Sequence, residues 1–266
     1  MTEHPAGMTL KHLIADAFSR AAETYDALAC VQKTAGMYLL NQLTGVAPDR
    51  VLDIGCGSGW LTRKMAIKFP AAMVWALDLA PGMVQHVKET CPEVACSVLA
   101  DMENLPFRNA SFDLVYSNFA MQWLDNPEVY FRECYRLLPL GGHLVCSTLL
   151  PGTLAELQNA WASVDNNTHI NRFLPAGQVV AAAERAGFKA TVEAKTEVVY
   201  YPEVVDVLRA LKGIGASTLT TERHASGLSG RHRLRLMLEA YEGFRTPQGI
   251  PATYEILYCT LKKRSE

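Results

Sequence analysis

The chain has 266 residues, of which 49% are hydrophobic and 20% are charged, and its formal net charge is −2. This composition is typical of a globular protein with one large core, and the near-neutral charge gives no overall attraction to nucleic acid or anionic membranes. No apolar run approaches the roughly 20 residues of a membrane span, and the N-terminus lacks the layout of a signal peptide. Seven cysteines are scattered singly, without disulfide or metal-ligand spacing. We therefore expect reduced thiols, a cytoplasmic location and no bound metal.

Residues 10–150 are predicted to alternate between helices and strands. A helical segment (15–43) comes first, and a break at 45–48 precedes the first strand. Strands are then predicted at 51–52, 74–77, 97–99, 112–116 and 143–147, with helices at 61–69, from 81 and at 129–138 between them. Apolar strands that alternate with helices are typical of a parallel sheet covered on both faces, so we predict an α/β fold.

The pattern becomes less regular after residue 150. The predicted elements there are a helix at 176–187, strands at 191–201 and 254–261, and, between these strands, a helix at 204–211 and a basic helix at 230–241. The irregular stretches would emerge near one edge of the sheet, and we expect them to form one lid.

The first strand ends in a glycine-rich turn, Asp53-Ile-Gly55-Cys-Gly57-Ser-Gly59, which opens a helix. Glycines at alternate positions allow a ligand to lie on the backbone, and the helix N-terminus points free N–H groups at it. A dinucleotide fingerprint has its third glycine one residue later, where this chain has Trp60. The turn therefore predicts a different, nucleotide-like cofactor.

Three more polar residues are predicted to lie at this edge of the sheet. Asp78 ends the second strand, at the distance expected for an acid that accepts hydrogen bonds from ribose hydroxyls. Asp101 and Asn118 follow the third and fourth strands. Right-handed crossovers bring the carboxyl ends of parallel strands to one edge, where ligands bind in open α/β sheets, so we expect one site.

These motifs resemble those of class I S-adenosylmethionine-dependent methyltransferases. The resemblance rests on Asp53–Gly59, Asp78, Asp101 and the runs Leu105-Pro-Phe and Ser111-Phe-Asp113. It implies a Rossmann-like, mostly parallel seven-stranded sheet with helices on both faces, and S-adenosylmethionine as cofactor. The cofactor-binding residues that it implies are Gln32, Asp53, Gly55, Gly57, Gly59, Asp78, Leu79, Met83, Asp101 (at the adenine edge), Met102 and Asn118.

Further blocks, along nearly the whole chain, are similar to the malonyl-[acyl-carrier protein] O-methyltransferases of biotin synthesis. They are Phe18-x-Arg-Ala-Ala-x-x-Tyr25-Asp26-x-x-Ala29-x-x-Gln32, Ser117–Trp123, Asn171–Pro175 and Leu211–Ala216. This likeness implies methylation of the free carboxylate of a malonyl group on acyl carrier protein, which would prime pimeloyl synthesis. It also implies that Tyr25 closes the methyl-transfer pocket and that Arg172 and Lys212 bind the acceptor.

The likeness also divides the chain. We predict a single methyltransferase domain (1–266) with N-terminal helices at 10–44, a cofactor-binding half at 45–150, lid insertions at 151–175 and 202–251, and the rest of the core sheet at 176–201 and 252–266. The chain departs from the family pattern at Ala80, where related chains often carry a serine that could cap the next helix, and at Leu140. Neither position touches the chemistry.

Several residues also have a plainer interpretation. Tyr25 and Gln32 could be packing residues of a helix, and Arg172 a surface arginine. Arg231, Arg233 and Arg235 on the basic helix are either a solvated face or a docking site for the acidic carrier protein.

Three other functions stay open at this point. One is a methyltransferase for a quinone or a small carboxylic acid, and another is a non-catalytic protein that binds S-adenosylmethionine. A nucleic-acid methyltransferase is disfavoured, because Ser117-Asn-Phe-Ala120 stands where an Asn-Pro-Pro-Tyr-like motif would be. We therefore predict no nucleic-acid or membrane partner.

Overall fold

Residues 9–216 and 229–264 are described by the computed structural model, and seven strands among them form one sheet. The strands are β1 (Arg50–Ile54), β2 (Met73–Asp78), β3 (Cys96–Leu99), β4 (Leu114–Asn118), β5 (His143–Leu149), β6 (Phe188–Tyr201) and β7 (Ile250–Lys263). Their order is β3-β2-β1-β4-β5-β7-β6, and β1 to β5 are parallel. Strand β7 runs antiparallel between β5 and β6. The predicted mostly parallel seven-stranded sheet is confirmed.

Helices cover both faces of this sheet. They are α1 (Leu10–Ala21), α2 (Tyr25–Leu28), α3 (Cys30–Asn41), α4 (Trp60–Lys68), α5 (Pro81–Thr90), α6 (Pro127–Leu137), α7 (Ala155–Ala162), α8 (Ala176–Arg185), α9 (Val204–Gly213) and α10 (Ser229–Glu242), with a 3-10 helix at Met121–Trp123. Within residues 9–216 and 229–264, none of them is long and apolar enough to cross a membrane.

The sheet separates two apolar cores. On one face, α3 and α4 pack together with α7, α9 and α10 against strand side chains such as Val51 and Tyr116. On the other face, α6 and α8 pack against side chains such as Leu52 and Val115. Successive strand residues point to opposite faces, so burial of both faces requires strands that are apolar throughout. Each large side chain buried in this way contributes about 1.5–3 kcal/mol.

The N-terminal segment differs from the prediction of one helix over 15–43, because the chain forms α1, α2 and α3 there. The backbone leaves the helical conformation at Ala29 (φ −83°, ψ 43°), between α2 and α3. The short helix α2 packs against α9, where Gly213 leaves room for the side chain of Leu28. Tertiary packing overrides the local helical periodicity here, and it places α2 over the carboxyl edge of the sheet.

Candidate functional site

The glycine loop (55–59) joins β1 to α4 in a conformation that favours glycine. Gly55, Gly57 and Gly59 have φ values of +70°, +54° and +80°. A Cβ on Gly55 would lie 2.5 Å from the Cβ of Ala120, and one on Gly59 would lie 2.8 Å from the Sγ of Cys91. The first and third glycines are therefore required by close packing as well as by backbone conformation. Gly59 packs against the α5 side in this way and lines neither of the two cavities described below.

Asp78, at the end of β2, holds the glycine loop through its carboxylate. The N–H of Gly57 donates to one oxygen at 2.9 Å, and the N–H of Ala80 donates to the other at 2.8 Å. Burial raises the pKa of Asp78, and the backbone hydrogen bonds oppose that rise. Asp78 thus gives the turn before α5 an acceptor that the side chain of Ala80 lacks.

Asp53 is the second acid beneath the loop, and it is 2% exposed. The hydroxyl of Thr62 on α4 donates to its carboxylate at 2.6 Å. Burial raises the pKa of Asp53 to about 7, with the charge of Asp78 adding to the rise and the Thr62 hydrogen bond opposing it. Near neutral pH this carboxyl therefore exchanges between its neutral and charged forms.

Helix α2 closes over the glycine loop. The Tyr25 ring lies above Gly57. A Cβ added to that glycine would be 3.6 Å from the Cε1 of the Tyr25 ring. The hydroxyl of Ser58 donates to Asp26 at 2.5 Å, and the Nζ of Lys33 donates to the backbone oxygen of Asp26 at 2.6 Å. Burial, followed by the charges of Asp78 and Asp26, raises the pKa of Tyr25, so its phenol stays protonated. Tyr25 can therefore donate a hydrogen bond over the loop.

A small cavity, which we call the loop cavity, lies between α2, α3 and the glycine loop. Six predicted site residues line it: Tyr25, Gln32, Asp53, Gly55, Gly57 and Asn118. It is also lined by residues that were not predicted from the sequence, chiefly Asp26, Lys33, Ser58 and Trp60. Its volume of about 30 Å³ leaves room for only one or two water molecules.

Asn118 fixes the floor of the loop cavity by joining three elements. Its Nδ2 donates to the backbone oxygen of Gln32 on α3 at 3.0 Å, and its Oδ1 accepts from the hydroxyl of Ser147 on β5 at 2.7 Å. The next residue, Phe119, has a φ of +52°, which is uncommon for a residue other than glycine. This strained turn lies directly at the carboxyl end of β4.

The remaining predicted cofactor residues lie outside the loop cavity. Leu79 is half-buried after β2, and Met83 is wholly buried in a cluster with Tyr25. Asp101 forms an ion pair at 2.5 Å with the Nζ of Lys11 on α1, and Met102 packs against the α6 and α8 core. Contact of Met83 with a ligand would require movement of the Phe18 and Tyr25 rings, which pack against its cluster.

A larger cavity, the Arg172 cavity, lies at the carboxyl ends of β4 and β5 and measures about 210 Å³. Its lining includes Gln122, Trp123, Leu124, Thr148, Arg172 and Phe173. The guanidinium of Arg172 is the one cation among the described lining residues, and the side chain is exposed. Lys212, in the last turn of α9, is exposed and lines neither described cavity.

The arginines of α10 are largely engaged with carboxylates of the same chain. Arg233 forms an ion pair with Asp165 at 3.3 Å, and Arg235 pairs with Glu239 at 3.6 Å. Arg231 is exposed. Two of the three arginines predicted to dock a partner therefore have part of their charge neutralised already.

Comparison with known proteins agrees with this geometry. A family model described as "Methyltransferase domain" matches residues 52–146. The malonyl-[acyl-carrier protein] O-methyltransferase of Hahella chejuensis is 45% identical over 97% of this chain and 92% of its own. That of Dechloromonas aromatica is 39% identical over 95% of both chains. The biotin biosynthesis bifunctional protein BioHC of Cellvibrio japonicus is 40% identical over 95% of this chain, which spans only 50% of that protein.

Solved structures show the same fold at low sequence identity. An S-adenosylmethionine-dependent methyltransferase from Thermotoga maritima superposes with a TM-score of 0.56 at 16% identity, covering 94% of this chain and 100% of the other. Phosphoethanolamine N-methyltransferase 2 of Haemonchus contortus, solved with S-adenosylhomocysteine, gives 0.60 at 17% identity over 98% of this chain and 62% of its own. The sequence relatives are closer, and by them the chain belongs to the malonyl-[acyl-carrier protein] O-methyltransferase family of class I methyltransferases.

Proposed function

We propose that the chain transfers a methyl group from S-adenosylmethionine to the free carboxylate of malonyl-[acyl-carrier protein], giving the methyl ester that primes pimeloyl synthesis for biotin. The 45% identity to the Hahella chejuensis enzyme carries this proposal, since it extends over 97% of the chain and so includes the acceptor side of the sheet. Relatives named for biotin biosynthesis support the same role.

The residues around the glycine loop fit the proposed cofactor. Gly55 and Gly57 line the loop cavity without a side chain, and Asp78 is a buried acceptor for ribose hydroxyls. In the loop cavity, the Asp53 carboxyl and the Lys33 ammonium offer an acceptor and a donor for the amino-acid end of the cofactor. The cavity is smaller than such a molecule, so we expect the Tyr25 ring to shift on binding.

The proposed reaction depends mainly on the alignment of its two reactants. When bound, S-adenosylmethionine supplies a methyl group on a sulfonium leaving group, and a malonyl carboxylate is already ionised at neutral pH, so no general base is needed. Well-oriented reactants can gain roughly 7–11 kcal/mol from positioning alone. We assign to Tyr25 the exclusion of water and the orientation of the acceptor through its protonated hydroxyl.

Recognition of the acceptor is assigned to the lid side of the site. A malonyl carboxylate offers two oxygens, which the planar fork of an arginine can bind together. Arg172 lines a cavity beside the carboxyl end of β4, and this position supports the proposed role. Lys212 would add a second positive charge, for the carboxylate or for the phosphopantetheine arm. We propose a cytoplasmic location, on the ground that the seven cysteines are scattered along the sequence without disulfide spacing.

The direct test is mass spectrometry of malonyl-[acyl-carrier protein] after incubation with S-adenosylmethionine and the protein. We expect one added methyl on the malonyl group, and none on an acetyl-carrier protein, which lacks the carboxylate. The Asp78→Ala variant should give much less product under the same conditions. An unmodified malonyl group with the wild-type protein would refute the proposal, and a methylated free acid would favour the small-acid alternative.

A further inference from the structure

The outward face of α4 combines positive charge with exposed apolar surface. Trp60, Arg63, Lys64, Ile67 and Lys68 recur at the spacing of one helix face, which we call the α4 face. Ile67 is 69% exposed, the highest value among the large hydrophobic side chains that the structure describes. An exposed isoleucine surrounded by three cations is an unusual composition for a surface that contacts only solvent.

The cations of this face have no carboxylate partner among the residues that the structure describes. Neither α3 nor α4 contains an aspartate or a glutamate. In the described part of the chain, Arg63, Lys64 and Lys68 form no ion pair with a carboxylate, in contrast to Arg233 and Arg235 of α10. The cluster therefore keeps its positive potential in a chain whose formal net charge is −2.

The α4 face is continuous with the mouth of the loop cavity. Lys33 of α3 lies 5.0 Å from the centre of the Trp60 ring, and Lys64 lies 5.1 Å from it. Lys33 and Trp60 both line the loop cavity. Gly36 makes this arrangement possible, since any larger residue there would collide with Leu61 of α4. A partner bound on the α4 face would thus lie directly beside the reaction site.

From this geometry we infer that the α4 face, rather than the arginines of α10, docks the acidic acyl carrier protein that carries the substrate. This inference rests on the proposed function for the identity of the partner. Cations around an exposed isoleucine match a partner surface of carboxylates around an apolar patch, and they steer that partner toward the site. The carrier protein would then present its prosthetic arm at the cavity mouth.

Charge reversal on each basic surface separates the two possibilities. Arg63→Glu/Lys68→Glu changes the α4 face, and Arg231→Glu/Arg235→Glu is the matched control on α10, with the same change of net charge. Binding of fluorescently labelled holo-carrier protein is measured by anisotropy, at low and at physiological salt. Methylation is then measured with malonyl-carrier protein and with an uncharged malonyl thioester of N-acetylcysteamine.

We expect the α4 double variant to bind the carrier protein at least tenfold more weakly and to raise its KM, while turnover of the small thioester and S-adenosylmethionine affinity stay unchanged. The α10 control should stay within about twofold of wild type. Ile67→Ala should weaken carrier binding at both salt concentrations, since its contact is apolar.

Wild-type carrier binding by the α4 double variant would overturn the inference, as would a greater loss in the α10 control. An equal loss of activity on both substrates would show damage to the catalytic site instead and would also count against it. A DNA duplex that competes for the α4 face as strongly as the carrier protein would identify a nucleic-acid surface. Because binding is measured without methyl transfer, a wild-type protein that binds the carrier but methylates nothing would refute the proposed function alone.

Discussion

The ligand-binding edge is formed mainly by backbone on one side and by a long side chain on the other. On the side of β1 and β2, the backbone forms the site: the glycine loop has no room for a Cβ at Gly55, and Asp78 is held by two N–H groups. On the side of β4 and β5, the Arg172 cavity depends on an exposed, long side chain. We therefore expect the proposed cofactor side to tolerate almost no substitution, and the proposed acceptor side, at the Arg172 cavity, to tolerate substitution without loss of folding.

Gly55→Ala should give the largest effect and tests the backbone side of this comparison. The new Cβ would lie 2.5 Å from that of Ala120, at a backbone φ of +70°. Strain and overpacking together should lower the free energy of unfolding by about 2–5 kcal/mol. Urea denaturation measures this, and Gly177→Ala in α8, where a Cβ meets nothing within 4 Å, should be neutral or slightly stabilising. Equal stability of both variants would contradict the tight packing of the loop.

The raised pKa of Asp53, on the same side, predicts that the free energy of unfolding depends on pH. Its pKa is raised in the fold to about 7, so the folded protein binds a proton that the unfolded chain releases at lower pH. Stability from this group is complete below the unfolded pKa and is lost as the pH rises through 7. Asp53→Asn should be more stable than wild type at pH 8 by about 2–4 kcal/mol, and the difference should shrink toward pH 4.

Urea unfolding without cofactor, repeated across this pH range, measures that difference. Glu23→Gln changes an exposed carboxylate and should follow the wild-type curve. A constant difference between Asp53→Asn and wild type at every pH would exclude the raised pKa.

Asp78→Ala should weaken S-adenosylmethionine binding by about 1.5–3 kcal/mol, because the ribose hydroxyls and the N–H of Gly57 both lose a charged acceptor. Calorimetric titration measures the affinity. Asp101→Ala is the informative comparison, since Asp101 is paired with Lys11 and accepts from the N–H of Glu103 rather than from the glycine loop, and we expect it to cost less. An unchanged affinity in Asp78→Ala would remove this residue from the cofactor site.

Arg172→Ala should affect only the acceptor side. We expect the KM for malonyl-carrier protein to rise, by an amount that corresponds to a loss of roughly 1–2 kcal/mol in binding free energy. The loss is moderate because Arg172 is exposed and solvent weakens its interactions. Steady-state kinetics should show unchanged cofactor affinity, and Arg172→Lys should recover part of the loss. Arg209→Ala on α9, where Arg209 is paired with Asp206, should behave as wild type. A wild-type KM in Arg172→Ala would leave the cavity without its assigned role.

Tyr25→Phe should give the smallest effect, since it removes one hydroxyl and keeps the ring over Gly57. One lost hydrogen bond costs about 0.5–1.5 kcal/mol, so kcat should fall by up to tenfold with little change in cofactor affinity. Initial rates at saturating concentrations of both substrates measure kcat directly. If Tyr25→Phe and Tyr25→Ala both turn over at the wild-type rate, the residue only packs.

Local patterns in the sequence were sufficient to predict the sheet and the glycine-rich turn at its carboxyl edge. Apolar runs followed by Asp53 and Asp78 locate strand ends, and these positions need no knowledge of the rest of the chain. The approach of Lys33 to Trp60 could not be predicted in this way, because it depends on how closely α3 packs against α4 at Gly36. The pairing of Asp101 with Lys11 likewise joins residues that lie 90 positions apart.

The position of β7 has a consequence for how the chain is made. Ile250–Lys263 inserts between β5 and β6, so the sheet remains in two separate pieces until this strand has left the ribosome. Before then, β6 lacks β7, its one neighbour in the described sheet, and β5 presents an unpaired edge of the kind that promotes association between chains. Strands β1 to β5 can pair with one another early, but β6 can join the sheet only after β7 has paired with β5. Synthesis of the protein therefore includes an interval in which protection of these edges by a chaperone would matter most.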